Sequence, residues 1–171
     1  MKIFSTVLLM LILVTFCTSQ ELNRVVIDPD RGNEDLIGKC DRQGFEHTAF
    51  KTWFSDGYQS YNPDENAIKE LRNRKKDLKI TVVMGTWCSD SRKNIPHFYK
   101  ILDAVKLDEK NVELIAMDRK KSTGDLDISG LGVTLVPTFI LLKRGVEIGR
   151  IVENPTLSIE KDMLLILMQG D

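Results

Sequence analysis

The sequence predicts an α/β fold of three layers (α/β/α), in which a central mixed β-sheet lies between helices and a helical extension precedes it. Residues 79–84 are apolar on both faces, as in a strand at the centre of a sheet. The connection to a second strand at 111–117 is long enough for a crossover helix, which makes the two strands parallel. Residues 138–142 and 146–152 flank a turn with Gly145 and form an antiparallel hairpin. Parallel and antiparallel neighbours together make the sheet mixed.

The first 19 residues have the pattern of a signal peptide. They contain one basic residue, no acid and an apolar stretch at 7–16 that is too short to span a bilayer. Cleavage after Ser19 follows the small-residue rule. Lipid attachment at Cys17 is the alternative, and the bulky Phe16 before it argues against this. We expect an exported protein, in the periplasm or cell envelope of a bacterium or otherwise in the secretory pathway, with no stable membrane span after signal removal.

The rest of the chain is expected to divide into an N-terminal extension at 20–61, packing on the core, and a main domain at 62–171. The 171 residues include 24 basic and 25 acidic ones, so the chain has no overall attraction for polyanions and nucleic acid is not an expected partner. Cys40 and Cys88 remain after export, too few for a disulfide-stapled scaffold. No cluster of cysteine and histidine has metal-ligand spacing, so the sequence predicts no metal and no cofactor.

Two helices are predicted before the central strand. The second is expected to begin with Asn62 as its N-cap, Pro63 at its first position and Glu65 three residues after the cap. The first is an amphipathic helix that Gly57 ends, and its apolar residues recur at helical spacing: Phe45, Ala49, Phe50, Trp53 and Phe54.

Two more helices are predicted after the central strand. One runs from Cys88 to about Lys106, and Pro96 bends it because proline has no N–H to donate. The last is expected to be capped by Asn154 and Pro155. Its predicted apolar face consists of four residues: Leu157, Leu164, Leu167 and Met168.

A single cysteine stands where the central strand turns into a helix. Trp87 and Cys88 are followed there by Ser89, Asp90 and Ser91. At a helix start, exposed backbone N–H groups and the positive end of the helix dipole favour thiolate over thiol, and the thiolate is the attacking form. The three residues after the cysteine are also good helix-start residues, so capping without any chemistry is the alternative.

From about residue 78 to the C-terminus, the chain resembles the thioredoxin superfamily. Four features in the same order carry the resemblance: Trp87-Cys88 is similar to the active-site Trp-Cys pair, Pro96 to the helix-kinking proline eight residues on, Val136-Pro137-Thr138 to the cis-proline turn, and Lys143-Arg144-Gly145 to the hairpin turn.

The resemblance implies a role for each residue near the thiol. Cys88 is the nucleophile, and Trp87, Val136 and Pro137 contact substrate. The Val136–Pro137 bond is expected to be cis, leaving the Val136 backbone available to pair with an extended substrate segment. Ser91 stands where the family usually has its second cysteine. Ser91 can donate a hydrogen bond to the Cys88 thiolate but cannot resolve a mixed disulfide.

The chain also departs from the family pattern. Val82 and Leu114 stand where thioredoxins carry a buried acid and its lysine partner, so their internal proton relay is not expected. Glu153 replaces a glycine beside the substrate groove. The basic residues 119–121 follow the second strand and are expected at the sheet edge that holds Cys88, where they favour the thiolate or attract an acidic substrate. A solvated loop is the alternative.

Three functions follow from these patterns. In the first, Cys88 acts as a monothiol on protein or small-molecule disulfides and an external thiol releases the product. In the second, Cys40 from the extension is the resolving thiol. In the third, the domain is a binding module without catalysis. The peroxiredoxin pattern is missing before Cys88, so a cysteine peroxidase is not expected.

Overall fold

The computed structural model describes residues 21–170, which form a five-stranded sheet, a separate two-stranded sheet and four α-helices. In chain order, the elements are β1 (Val25–Ile27), β2 (Glu34–Leu36), β3 (Gly38–Cys40), α1 (Thr48–Ser60), α2 (Glu65–Arg74), β4 (Leu78–Met84), α3 (Ser89–Val105), β5 (Val112–Ala116), β6 (Thr138–Lys143), β7 (Val146–Val152) and α4 (Ile159–Gln169).

The larger sheet has the strand order β3-β5-β4-β6-β7, with β4 at its centre. Strand β4 is parallel to β5 and antiparallel to β6, and Val82 lies opposite Leu114 on one side and Phe139 on the other. Strands β6 and β7 form the antiparallel hairpin. The predicted α/β class and the mixed sheet are therefore confirmed.

The two faces of the sheet are covered differently. Val82 and its neighbours at alternate positions of β4 belong to the larger core, to which all four helices contribute. Val83 points to the opposite face, where a smaller apolar cluster contains Val83, Ile115, Met117 and Val136. Loop residues between 126 and 133 pack against this smaller cluster. Most of that loop is irregular, with one short 3-10 helix at Ser129–Leu131.

The extension contains strands as well as the predicted helix. Strands β1 and β2 form a hairpin in which Val26 lies opposite Asp35. Strand β3 joins the edge of the larger sheet antiparallel to β5. Within residues 21–170, no helix has the length and apolar character needed to cross a bilayer. The expected signal peptide at 1–19, including Cys17, lies outside the described residues.

The first predicted helix divides into two pieces. Phe45 lies in a short 3-10 helix, Arg42–Glu46, rather than in α1, and Ala49 is exposed rather than part of the apolar arc. His47 separates the two pieces because its backbone is extended, and its Nδ1 accepts the Ala49 N–H at 3.4 Å as the N-cap of α1.

Gly57 does not end α1, which continues to Ser60. A Cβ atom at Gly57 would lie 3.0 Å from Pro96 of α3. The glycine therefore lets the two helices approach each other closely.

The other two predicted caps are also wrong by a few residues. Helix α2 begins after Asp64, whose carboxylate accepts the Ala67 N–H at 2.9 Å, so Asn62 and Pro63 precede the helix. A carboxylate accepts hydrogen bonds from the free N–H groups at a helix start, and its negative charge interacts favourably with the positive end of the helix dipole.

Helix α4 begins after Ser158 rather than after Asn154 and Pro155. The Ser158 hydroxyl caps it by accepting the Lys161 N–H. Two residues of the predicted apolar face are exposed, Leu157 before the helix and Met168 near its end.

Candidate active site

Cys88 is the N-cap of α3, immediately after the turn that leaves β4. Its N–H donates to Gly85 O at 3.0 Å, and its own carbonyl accepts the Arg92 N–H at 3.0 Å as the helix begins. The predicted span of this helix is thus confirmed, with Pro96 inside it. The thiol is half-buried and free, at the end of the helix where N–H groups point outward.

The cis-proline turn lies beside the thiol. The Val136–Pro137 bond is cis, as the resemblance implied. Cys88 Sγ donates to Val136 O at 3.2 Å. Trp87 and Cys88 both pack against the smaller apolar cluster, and the Trp87 indole donates to Met117 O at 2.8 Å. The structure therefore brings Trp87, Cys88, Val136 and Pro137 together.

Ser91 is held by the turn before Cys88, and within residues 21–170 no hydrogen bond joins it to the Cys88 thiol, to which its hydroxyl could donate. Its side chain is fully buried, and its hydroxyl oxygen accepts the Gly85 N–H at 3.2 Å. The reason is geometric, because Ser91 lies on the first turn of α3 and faces back toward the end of β4. Its observed role is to brace the turn before Cys88.

Cys40 lies in the larger core, away from the cluster that Cys88 contacts. It is opposite Leu114 on the edge strand β3, is 6% exposed and donates to Gly38 O at 3.5 Å. Burial raises the pKa of the Cys40 thiol to about 12. Since the smaller cluster is on the other face of the sheet, the structure does not pair the two cysteines, and both are free.

The basic residues after β5 lie beside the site but have acidic partners. The Arg119 guanidinium is 5.0 Å from the centre of the Trp87 ring, and its Nε is 3.3 Å from the buried Asp28. Lys120 Nζ is 3.9 Å from Asp30. Both acids come from the segment that joins β1 to β2. Part of the positive charge expected near Cys88 is thereby balanced by the extension.

Glu153 takes part in the site through its backbone. It has a φ of 57°, a left-handed conformation that favours glycine. Its N–H donates to Pro137 O at 2.7 Å, and its carbonyl accepts from the buried Asn94 side chain at 3.0 Å. Asn94 thus ties α3 to the end of β7, a role that has no local signal in the sequence.

Sequence reasoning also missed Thr86 and Asp35. Thr86 is fully buried two residues before Cys88, and its hydroxyl donates to Asp35 Oδ1 at 2.9 Å. The Thr86 hydroxyl oxygen in turn accepts the Leu36 N–H at 3.1 Å. Burial raises the pKa of Asp35, while the hydrogen bond from Thr86 acts in the other direction. An acid directly before two apolar residues was the only sequence signal.

A family model described as thioredoxin matches residues 46–162. Among solved structures, a protein of unknown function from Pseudomonas aeruginosa is 18% identical with a TM-score of 0.52, covering 77% of this chain and 87% of that one. This likeness is one of fold. A thioredoxin from Fasciola hepatica is 19% identical with a TM-score of 0.39, covering 60% of this chain and 89% of its own. Mitochondrial thioredoxin 3 from Saccharomyces cerevisiae is 26% identical with a TM-score of 0.35, covering 67% and 95%. No curated protein matches the sequence.

Proposed function

The chain belongs to the thioredoxin family, and on that premise we propose that it is an exported monothiol thiol-disulfide oxidoreductase. One observation carries the proposal. The half-buried Cys88 begins α3 beside the Val136 carbonyl, while the helix position that would hold a second thiol is the buried Ser91. Such a site keeps the attacking thiol and lacks a resolving one.

The reaction proceeds by two exchanges at sulfur. The Cys88 thiolate attacks one sulfur of a disulfide, the S–S bond breaks, and the other sulfur leaves as a thiolate. A mixed disulfide then joins Cys88 to the substrate. An external thiolate, such as that of glutathione, then attacks the substrate sulfur of this mixed disulfide. The Cys88 thiolate leaves, and a new disulfide joins the external thiol to the substrate sulfur. The external thiol supplies the electrons, so no other reductant is needed.

The surroundings of Cys88 suit this chemistry. The Cys88 sulfur lies at the N-cap of α3, where the first backbone N–H groups of the helix point outward. The Val136 carbonyl accepts a hydrogen bond from the resting Cys88 thiol at 3.2 Å, and this bond is given up when the thiolate forms. Trp87, Val136 and Pro137 lie around the sulfur. We assign them to substrate contact, Val136 and Pro137 through their backbone because both residues are buried. The substrate class is protein or small-molecule disulfides, including mixed disulfides with small thiols.

The proposal also covers organisation and location. We assign residues 1–19 to an export signal, 20–61 to an extension of the active-site domain and 62–171 to that domain. Cys40 has no part in turnover, because it is buried in the core on the opposite face from the cluster that Cys88 contacts.

Deglutathionylation of a model peptide tests the activity. The protein lacking its first 20 residues is incubated with a glutathionylated peptide and excess glutathione, and the free peptide is measured by chromatography. We expect Cys88→Ser to abolish the catalysed rate and the matched variant Cys40→Ser to retain it. A wild-type rate equal to that of Cys88→Ser would contradict catalysis and favour a binding module. Loss of activity in a folded Cys40→Ser variant would instead favour Cys40 as the resolving thiol.

A further inference from the structure

The extension contributes a buried acid to the turn that carries Cys88. We propose that Asp35 is a positioning residue for Cys88, acting through the Thr86 hydroxyl to hold the turn between β4 and α3. The consequence for catalysis rests on the proposed function, whereas the consequence for the turn does not.

The Thr86 hydroxyl is held by two neighbouring residues of the extension. It donates to Asp35 Oδ1 at 2.9 Å and accepts the Leu36 N–H at 3.1 Å. Asp35 is 2% exposed and Thr86 is fully buried. Because a buried polar group without its partner is costly, both hydrogen bonds are expected to persist in the folded protein. They fix the side chain two residues before the thiol.

Apart from the Trp87 indole and the Cys88 thiol, which donate to Met117 O and Val136 O, the other hydrogen bonds of the turn are local. The Gly85 N–H donates to Ser91 Oγ, the Cys88 N–H donates to Gly85 O, and the Arg92 side chain donates to Thr86 O. All of these residues lie within the turn or the first turn of α3. The contacts of Thr86 with Asp35 and Leu36 therefore anchor the turn to a different part of the chain.

The charges around Asp35 link it to the same site. The groups that act on the Asp35 carboxylate are Thr86, Arg119, Asp28 and Arg92. Arg119 also lies over the Trp87 ring and pairs with Asp28. Asp35 thus contacts Thr86 directly, and Asp28 pairs with the arginine that lies over the Trp87 ring.

Hydrogen–deuterium exchange measures the turn directly, and steady-state deglutathionylation measures its effect on Cys88. For Asp35→Ala, we expect exchange over residues 85–88 to be about tenfold faster, because a buried hydrogen bond is lost. We expect kcat to fall about tenfold while KM stays within about twofold, since Asp35 does not touch substrate. Thr86→Val keeps the shape of threonine and should have the same two effects. Thr86→Val is the variant to measure if Asp35→Ala does not fold.

Conservative variants separate this role from general destabilisation. Thr86→Ser keeps the hydroxyl and Asp35→Asn keeps an acceptor oxygen, so both should retain wild-type exchange and kcat within about threefold. The double variant Asp35→Ala/Thr86→Val should lose no more than Thr86→Val alone, because Thr86→Val already removes the hydrogen bond that the two residues share. Asp41→Ala is the matched control for Asp35→Ala. Asp41 is an acid of the extension that accepts hydrogen bonds from Asn23 and Gln43, away from the turn.

Each outcome decides one of the two proposals. Unchanged exchange at 85–88 in folded Asp35→Ala and Thr86→Val overturns the positioning role, as does an equal loss in Asp41→Ala. Faster exchange with an unchanged kcat also overturns it. A wild-type protein without deglutathionylation activity contradicts the proposed function, and the exchange measurement then still decides whether Asp35 holds the turn.

Discussion

At the scale of single residues, the two described cysteines lie in opposite environments. Cys88 is half-buried at a helix start, whereas Cys40 is enclosed by the core. The first position makes sulfur accessible to a second molecule, and the second position does not. The chemistry we propose depends on this contrast.

The contrast predicts unequal alkylation. At pH 7, Cys88 should react with iodoacetamide at least about a hundredfold faster than Cys40, because the reagent needs an accessible thiolate. The Cys40 pKa is raised to about 12, so its thiolate fraction in the folded protein should rise about tenfold per pH unit until the pH approaches that value. Mass spectrometry of timed reactions measures both rates. Equal rates at pH 7, or an unreactive Cys88 in folded protein, would contradict the catalytic assignment.

At the scale of elements, the junction of β4 and α3 combines a strand end, a tight turn and a helix start. Ser91 closes this junction by accepting the Gly85 N–H from the first turn of α3. Asn94, one turn further along, ties the same helix to the end of β7. The start of α3 is therefore held from two sides, and Cys88 is the one residue of this junction with a reactive side chain.

Replacing Ser91 by cysteine should add the missing thiol. Wild-type protein should be poor at catalysing the reduction of insulin by dithiothreitol, and Ser91→Cys should be faster because a second thiol can release the mixed disulfide. The change also weakens the hydrogen bond from Gly85, since sulfur is a weak acceptor, at a cost of about 1 kcal/mol in unfolding free energy. Turbidity of the insulin B chain measures the activity.

Ser91→Ala is the control for this experiment, because it loses the same hydrogen bond and adds no thiol. It should remain as slow as wild type. A folded Ser91→Cys variant without increased activity would mean that the groove near Glu153 does not admit a protein substrate.

At the scale of the whole molecule, the extension is part of the domain it precedes. It supplies the edge strand β3, the hairpin that contacts the Cys88 turn, and three phenylalanines of the larger core. Phe45 and Phe50 are 1% exposed and Phe54 is 9% exposed. Phe45 and Phe54 stack on each other, and both contact the Tyr99 ring of α3 in an edge-to-face arrangement, so the extension and the main domain share one core.

A chain shortened to residues 62–171 should therefore fail to fold cooperatively. Burying one phenylalanine is worth about 1.5–3 kcal/mol, so losing three removes an amount comparable to a whole domain's stability of about 5–15 kcal/mol. Thermal unfolding followed by circular dichroism measures this, with a chain beginning at residue 21 as the control. A sharp unfolding transition of the shortened chain near that of the control would show that the extension is dispensable for the core.

The sequence by itself determined the features that depend on local pattern. The apolar run of β4, the hairpin around Gly145, the helix beginning at Cys88 and the Val136–Pro137 turn each have a signal within a few residues, because strand, turn and helix preferences are local. Helix caps were less well predicted. Asn62 and Asp64 are both good caps, and Asp64, which is used, also contacts Glu160 and Lys161 of α4.

Only the tertiary structure decided which distant residues meet. The contact of Asp35 with Thr86 joins residues 51 positions apart, and no spacing rule relates them. The sequence does not say where over the core Cys40 lies, and the pairing of β3 with β5 fixes that position. The hydroxyl of Ser91 could face the thiol or the strand, and the fold turns it toward Gly85. These choices follow from the packing of whole elements, whose energy depends on long-range contacts that a local pattern does not encode.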